Sequence, residues 1–291
     1  MSLEKKENPT YLKFKSPHYS FFMTVNKVVS PVYNSYYFIV GDKNDPCIEG
    51  IITLDSKTND IRYKSFENKS HLIKINSLVE CSIEDITNEY QDKYSFGKEL
   101  LDTVLFFINS QFPKIQTIKL TDTSYIPCKR NAEDTLDLLS YSIALYKETW
   151  YEKQKGAYIL PKEKHILYRS QVKKYASKET KAELDFDLFY GTIFPVANSI
   201  NREMIDNNIE IYKQIYNSSE TFPEFFIKVS KTLKKEDKCK FFKGWLYDFI
   251  ASQILIERTW YIDLFPKIEV VSSINIKLRK RNQTKRKNTK N

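Results

Sequence analysis

Ser95-Phe96-Gly97-Lys98-Glu99-Leu100-Leu101 is the segment of this sequence best suited to hold a ligand. It lies between a β-rich run and a helical one. The first N–H groups of a helix have no intrahelical partner, and the helix dipole places positive potential beside them, so such a start can hold a pyrophosphate. Gly97 would let the backbone approach the phosphate closely. Lys98 adds a cation, whereas Asp92 would repel the anion unless Lys93 or Lys98 offsets it, so binding here is expected to be weak. Other chemistries have less to work with. Cys47, Cys81, Cys128 and Cys239 form no Cys-x-x-Cys pair, and His18, His71 and His165 are equally scattered, so no zinc site is expected. Cys81 has no His in a recognisable arrangement with it, which sets covalent catalysis aside. Four unpaired thiols suit a reducing compartment.

The elements around this loop follow from hydrophobic period. Phe21–Val25 and Tyr36–Val40 are β-rich, Gly41–Pro46 is turn chemistry, and Cys47–Leu54 is a further strand, so 36–54 reads as a hairpin. A strand within His71–Ile83 ends near Cys81. Leu100, Leu101, Val104, Leu105, Ile108 and Phe112 share one helical face, and Pro113 ends that helix. Ile115–Leu120 alternates as a half-buried strand should. A second helix is expected over about 134–153, with Leu136, Leu139, Ile143 and Tyr146 on one stripe. Strand, helix, strand, helix in sequence argues for an α/β layer. Residues 161–181 are rich in Lys and Glu. Thr221-Phe222-Pro223-Glu224 fits a capping box with Pro in the first turn, and two aromatic stripes follow, Phe222 to Leu233 and Phe241 to Ile250.

Together with Ala144-Leu145-Tyr146 and Trp150–Ala157, the Ser95–Leu101 segment resembles the core of the GNAT acetyltransferase superfamily, over about residues 36–158. Those proteins place a Gln/Arg-x-x-Gly-x-Gly/Ala loop before a helix that often continues with a Leu-Leu pair. Here Gly97 matches the second glycine, Ser95 stands at the first, and Asp92 stands at the Gln/Arg position. The resemblance implies an α/β (α+β) fold, a GNAT-like mixed sheet with flanking helices. It implies acetyl-CoA held by Ser95, Phe96, Gly97 and Lys98. It makes Tyr151 the general acid for the departing thiolate, and Glu80 and Glu84 the places for a base that takes a proton from an amine. On packing alone, Tyr151 is a residue at a helix end and the two glutamates are surface carboxylates. The implied function is N-acetyl transfer to an amine. The alternative, which Asp92 and Ser95 keep close to it, is a non-catalytic binding or virion-associated protein on the same frame, its basic tail contacting nucleic acid. The helical extension, with Phe241–Ile250, resembles proteins of giant nucleocytoplasmic DNA viruses.

Of the formal net charge of +9, eight units lie in Lys277, Arg279, Lys280, Arg281, Lys285, Arg286, Lys287 and Lys290, where there is no acid; residues 1–276 carry the remaining +1. Nucleic acid is therefore expected at the tail, with a solubilising or targeting segment as the alternative; charge does not require a broad binding face on the body but leaves room for a local patch. A protein partner is expected at the helical domain. The N-terminal residues are charged and lack the apolar core of a signal peptide, and no apolar run approaches membrane-spanning length, so an intracellular protein without membrane contact is expected, cytoplasmic, nuclear or virion-associated. The resulting division is a flexible N-terminus (1–18), a GNAT-like domain (19–160), a helical domain (161–275) and a disordered basic tail (276–291).

Overall fold

The computed structural model describes residues 5–15, 20–41, 46–58, 72–78, 96–122, 125–127, 135–193, 203, 205–243, 245–264 and 275–278. They fall into two compact units, one of Met1–Ile118 with Asp263–Asn291, the other of Lys119–Ile262.

In the first unit the strands are β1 (Lys5–Lys6), β2 (Thr10–Lys15), β3 (Ser20–Val29), β4 (Tyr33–Gly41), β5 (Pro46–Asp55) and β6 (Leu72–Leu78), and the sheet is completed by β11 (Asn275–Leu278). Their order is β11-β2-β3-β4-β5-β6, with β1 also on β3. Each pairing with a described register is antiparallel. The class is thus α+β, and the sheet expected to be mixed is antiparallel wherever its register is described. The β3–β4 turn is held by Ser30, whose hydroxyl oxygen accepts from the N–H groups of Val32 and Tyr33.

Alternation along the strands sends one set of side chains inward: Leu12, Phe14, Met23, Phe38, Val40, Ile48 and Ile52 are buried. The apolar stripe of helix α1 (Phe96–Gln111) supplies the other half of this core, with Leu100, Leu101, Val104, Leu105 and Ile108 buried. Phe107 joins the two. Its ring centroid is 6.2 Å from that of Phe14, 5.8 Å from Phe38 and 6.0 Å from Phe112, and Phe112 lies 5.2 Å from Tyr36. Burying each such side chain stabilises by about 2 kcal/mol.

β7 (Thr117–Thr121) and β10 (Thr259–Asp263) lie side by side. The Leu264 N–H donates to the Gln116 carbonyl at one end (2.7 Å), and the Asp122 N–H to the Arg258 carbonyl at the other (2.6 Å). The division between the units falls inside both strands.

The second unit begins with a hairpin of β8 (Tyr125–Pro127) and β9 (Thr135–Asp137). The helices that follow are α2 (Leu138–Tyr146), α3 (Trp150–Lys155), α4 (Lys162–Tyr175), α5 (Lys178–Ala182), α6 (Phe186–Ile193), α7 (Ile209–Asn217), α8 (Phe222–Thr232), α9 (Lys235–Phe242) and α10 (Leu246–Gln253). Their core is aromatic. Phe189 of α6 meets Tyr216, Phe222, Phe225, Phe226, Trp245 and Phe249 at centroid separations of 5.0–6.5 Å. Both aromatic stripes are therefore internal: Phe222, Phe225, Phe226, Phe241, Phe242, Trp245 and Phe249 are buried, and a partner at the helical domain would meet other residues.

Four sequence expectations are revised. The N-terminal segment read as flexible contains β1 and β2, which pair with β3. The helix expected over 134–153 is two, because Lys147 turns left-handed (φ 63°) to end α2, and Thr149 starts α3 with a capping box to Glu152. Ile276–Leu278, read as tail, belong to β11. Cys239 is buried and disulfide-bonded, so the inference from four free thiols to a reducing compartment does not hold for it. Among the described residues no helix is long and apolar enough to cross a membrane.

Gly50 of β5 permits a close approach in the sheet core. A Cβ built there would overlap the Phe38 ring, so the ring lies directly over this backbone. Gly50→Val should destabilise the protein by about 2 kcal/mol in urea denaturation, the usual cost of overpacking. A loss below about 0.5 kcal/mol would show that the Phe38 ring is free to move aside.

Candidate functional site

Apart from Lys277 of β11, the expected site residues separate into three groups. Glu80, Glu84 and Ser95 lie outside the described residues, as do Asp92, Arg279, Lys280, Arg281, Lys285, Arg286, Lys287 and Lys290. Phe96, Gly97 and Lys98 form the first turn of α1 in the first unit. Lys98 Nζ lies 3.2 Å from a carboxylate oxygen of Asp102, one turn on, so its charge is shared along the helix surface. Tyr151 belongs to α3 in the second unit.

The local structure at Tyr151 is built from the capping box inward. The Thr149 side chain accepts from the Glu152 N–H (3.2 Å), and Glu152 Oε2 accepts from the Thr149 N–H (2.8 Å). Glu152 also accepts from the Tyr168 hydroxyl (2.8 Å) and from Arg169 (3.2 Å). This network fixes the first turn of α3 and turns Tyr151 into the core, 1% exposed, with its ring edge-on to Trp150 at 5.1 Å. The Tyr151 hydroxyl finds no hydrogen-bond partner among the described residues. Burial pushes its pKa well up, and the negative charge of Asp122 pushes in the same direction. Among the described residues that phenol is enclosed, which disfavours it as a proton donor to a departing thiolate. The packing reading of Tyr151 accounts for its surroundings.

Asp122 lies within a second polar cluster of the same unit. Arg258 Nη1 donates to the Asp122 carbonyl (3.2 Å), and Arg258 Nη2 to Asp137 (2.9 Å), the residue that caps α2 through the Ser140 N–H. The Arg258 guanidinium also lies 5.6 Å from the Tyr247 ring centre. These bonds tie β10 to the start of α2. They are structural contacts, and among the described residues no group of His, Cys, Asp and Glu could hold a metal ion.

The basic tail gains a position. Lys277 lies in β11 with its Cα opposite Lys13, and Asn275 opposite Lys15. Lys13 and Lys15 are exposed, while Leu12 and Phe14 beside them are buried. Sequence reasoning passed over these two lysines. The signal was available: Thr10–Lys15 alternates strictly, and from Asn8 to Gly41 the sequence contains no carboxylate.

The α3 region makes two measurable demands. Removing an unpaired buried hydroxyl relieves a desolvation cost, so Tyr151→Phe should leave stability unchanged or raise it by up to about 1 kcal/mol. A clear loss in thermal and urea unfolding would reveal a partner for that hydroxyl. His165 Nδ1 accepts from the Ile159 N–H (3.3 Å), which only an unprotonated nitrogen can do. Burial lowers the His165 pKa below its ordinary value, against the raising influence of Glu152 and with that of Arg169. The unfolded chain then takes up the proton first as pH falls, so stability present above about pH 6.5 should be lost on acidification. His165→Asn should flatten the decline in melting temperature between about pH 7 and pH 5 relative to the wild type. An identical decline would remove His165 as its source.

No protein-family model, curated protein or solved structure matches the chain.

Proposed function

We propose that this protein is a non-catalytic nucleic-acid-binding protein on a GNAT-like frame, with its basic tail as a principal contact. The observation that carries the reading is the pairing of β11 with β2. The tail continues from a strand whose neighbour exposes Lys13 and Lys15, in a stretch without acids. Cations placed together in this way gain affinity by releasing condensed counterions from a phosphate backbone. The enclosure of Tyr151 supports this reading over acyl transfer, because a buried phenol is poorly placed to act as the general acid that the resemblance implies.

A second reading keeps acetyl-CoA as a weak ligand at Phe96–Lys98, with N-acetyl transfer as the associated activity. It is favoured by α1 starting at Phe96, immediately at Gly97, with β7 and then α2 and α3 following in chain order. A ligand that binds only the native state raises the melting temperature, so acetyl-CoA and desulfo-CoA should each shift it if this site is retained. No shift at millimolar ligand would remove the cofactor reading.

The nucleic-acid reading is tested by deleting residues from Arg279 onward, which leaves β11 whole and removes seven cations. Binding to a labelled duplex should weaken by at least about ten-fold at low salt. The slope of log affinity against log salt should become shallower by about 0.9 for each phosphate that the tail had neutralised. Equal affinity for the full and shortened chains would exclude the tail as the binding segment.

A further inference from the structure

We propose that the face of the β2–β3–β4 sheet turned away from α1 is a stacking platform for single-stranded nucleic acid. The inference rests on the nucleic-acid reading above and deepens it, adding the aromatic residues beside Lys13 and Lys15. The inward face of these strands is filled by α1, and alternation directs the intervening side chains outward. Three of them are large aromatics that reach solvent: Tyr11 is 37% exposed, Phe22 47% and Tyr37 43%. They come from three adjacent strands. Tyr11 lies opposite Thr24, Phe22 opposite Lys13, and Tyr37 opposite Asn26. Since Thr24 stands between Phe22 and Asn26 on β3, the three rings occupy successive rows around it. Rows on one face of a strand are roughly 7 Å apart and strands about 4.8 Å apart. The aromatics are therefore offset diagonally, with Tyr11 and Phe22 about 8 Å apart and Tyr37 farther along.

Cations are interleaved with the rings. Lys13 Nζ sits 5.4 Å from the Phe22 ring centre, and Lys15 is exposed one row beyond. Lys27, by contrast, is paired with Glu7 (3.1 Å). Thr24 and Asn26 add half-exposed polar groups able to hydrogen-bond base edges. β2, β3 and β4 contain no acid, and in β5 the Cα of Glu49 lies opposite that of Ile39. β11 lies on the outer side of β2 and leads into the basic tail.

Aromatic faces with lysines between them fit one occupant best. Unstacked bases lie on rings, and their phosphates meet the lysines. A duplex presents its bases edge-on within grooves and cannot use exposed rings. A protein partner would gain from the aromatics but has no need of an acid-free surface beside a cationic tail.

The experiment uses the full chain with a labelled oligothymidine of about 15 nucleotides and a labelled duplex of the same length, enough to span a typical single-strand site. Tyr11→Ala, Phe22→Ala and Tyr37→Ala should each weaken single-strand binding at least about five-fold, with the salt slope unchanged, and should affect the duplex much less. Tyr11→Phe, Phe22→Tyr and Tyr37→Phe should restore it, because stacking needs only the ring. Lys13→Ala should instead make the single-strand salt slope shallower by about 0.7. Circular dichroism and melting identify any variant that fails to fold, and the ring-conserving variants carry the test at that position. A triple alanine variant that is folded and binds the oligothymidine as tightly as the wild type overturns the inference. If deletion from Arg279 still abolishes duplex binding, the broader reading survives that result. Weaker binding on ring removal with no change on tail deletion supports the platform and overturns the tail. A concentration-dependent dimer that Phe22→Ala abolishes and the oligothymidine does not displace would assign the face to a second copy of the chain and overturn the inference.

Discussion

Burial of one face of the first unit's sheet under α1 is the constraint from which its other features follow. Phe107 carries most of that join, reaching Phe14 on β2 and Phe38 on β4, while Phe112 reaches Tyr36. Because side chains alternate along a strand, committing Leu12, Phe14, Met23, Phe38 and Val40 to this core commits Tyr11, Lys13, Lys15, Phe22 and Tyr37 to the opposite face. A slip of one residue in β2 would place Lys13 and Lys15 against α1, at the cost of burying charge. The core thereby enforces the exposure of the cationic and aromatic set. Gly50 belongs to the same logic, since its missing side chain is the space over which the Phe38 ring lies.

The second unit is held differently. Its helices are short, and many of their contacts are ring on ring, so geometry is set by edge-to-face and offset packing around Phe189, Phe222, Phe226 and Trp245. Polar groups at its margins are caps and braces. Glu152 serves Thr149, Tyr168 and Arg169 at once, and Asp137 serves Ser140 and Arg258. A carboxylate with three partners is a rigid anchor. That arrangement braces the helix ends beside the enclosed Tyr151.

Acyl transfer and nucleic-acid binding ask different things of the same chain. Transfer needs a donor that can reach the leaving group, and the residue chosen for it by resemblance is inside a core. Binding to phosphates needs only cations held near one another, and the β11–β2 pairing sets the Cα of Lys277 opposite that of Lys13 from the other end of the chain. In the proposed platform, rings beside those cations would add base stacking to the phosphate contacts.

Much of the architecture could be read from hydrophobic period: the 36–54 hairpin, the helix from Gly97 to Pro113, the strand after it, and Pro223 in the first turn of α8 are each local patterns with local causes. The break between α2 and α3 was also written locally, in Thr149-Trp150-Tyr151-Glu152, but a continuous apolar stripe masked it. What local pattern could not supply was pairing across long separations. Nothing near residue 277 says that it will lie opposite Lys13, and nothing near Tyr151 says that it will be buried with Asp122 close enough to act on it. Burial of a tyrosine depends on what packs over it, and a platform depends on which strands become neighbours. Residue types and spacing determined the elements and the charge of the tail; only the tertiary structure decided which side chains were enclosed and which were left together in water, because long-range pairing and burial are properties of the assembled core.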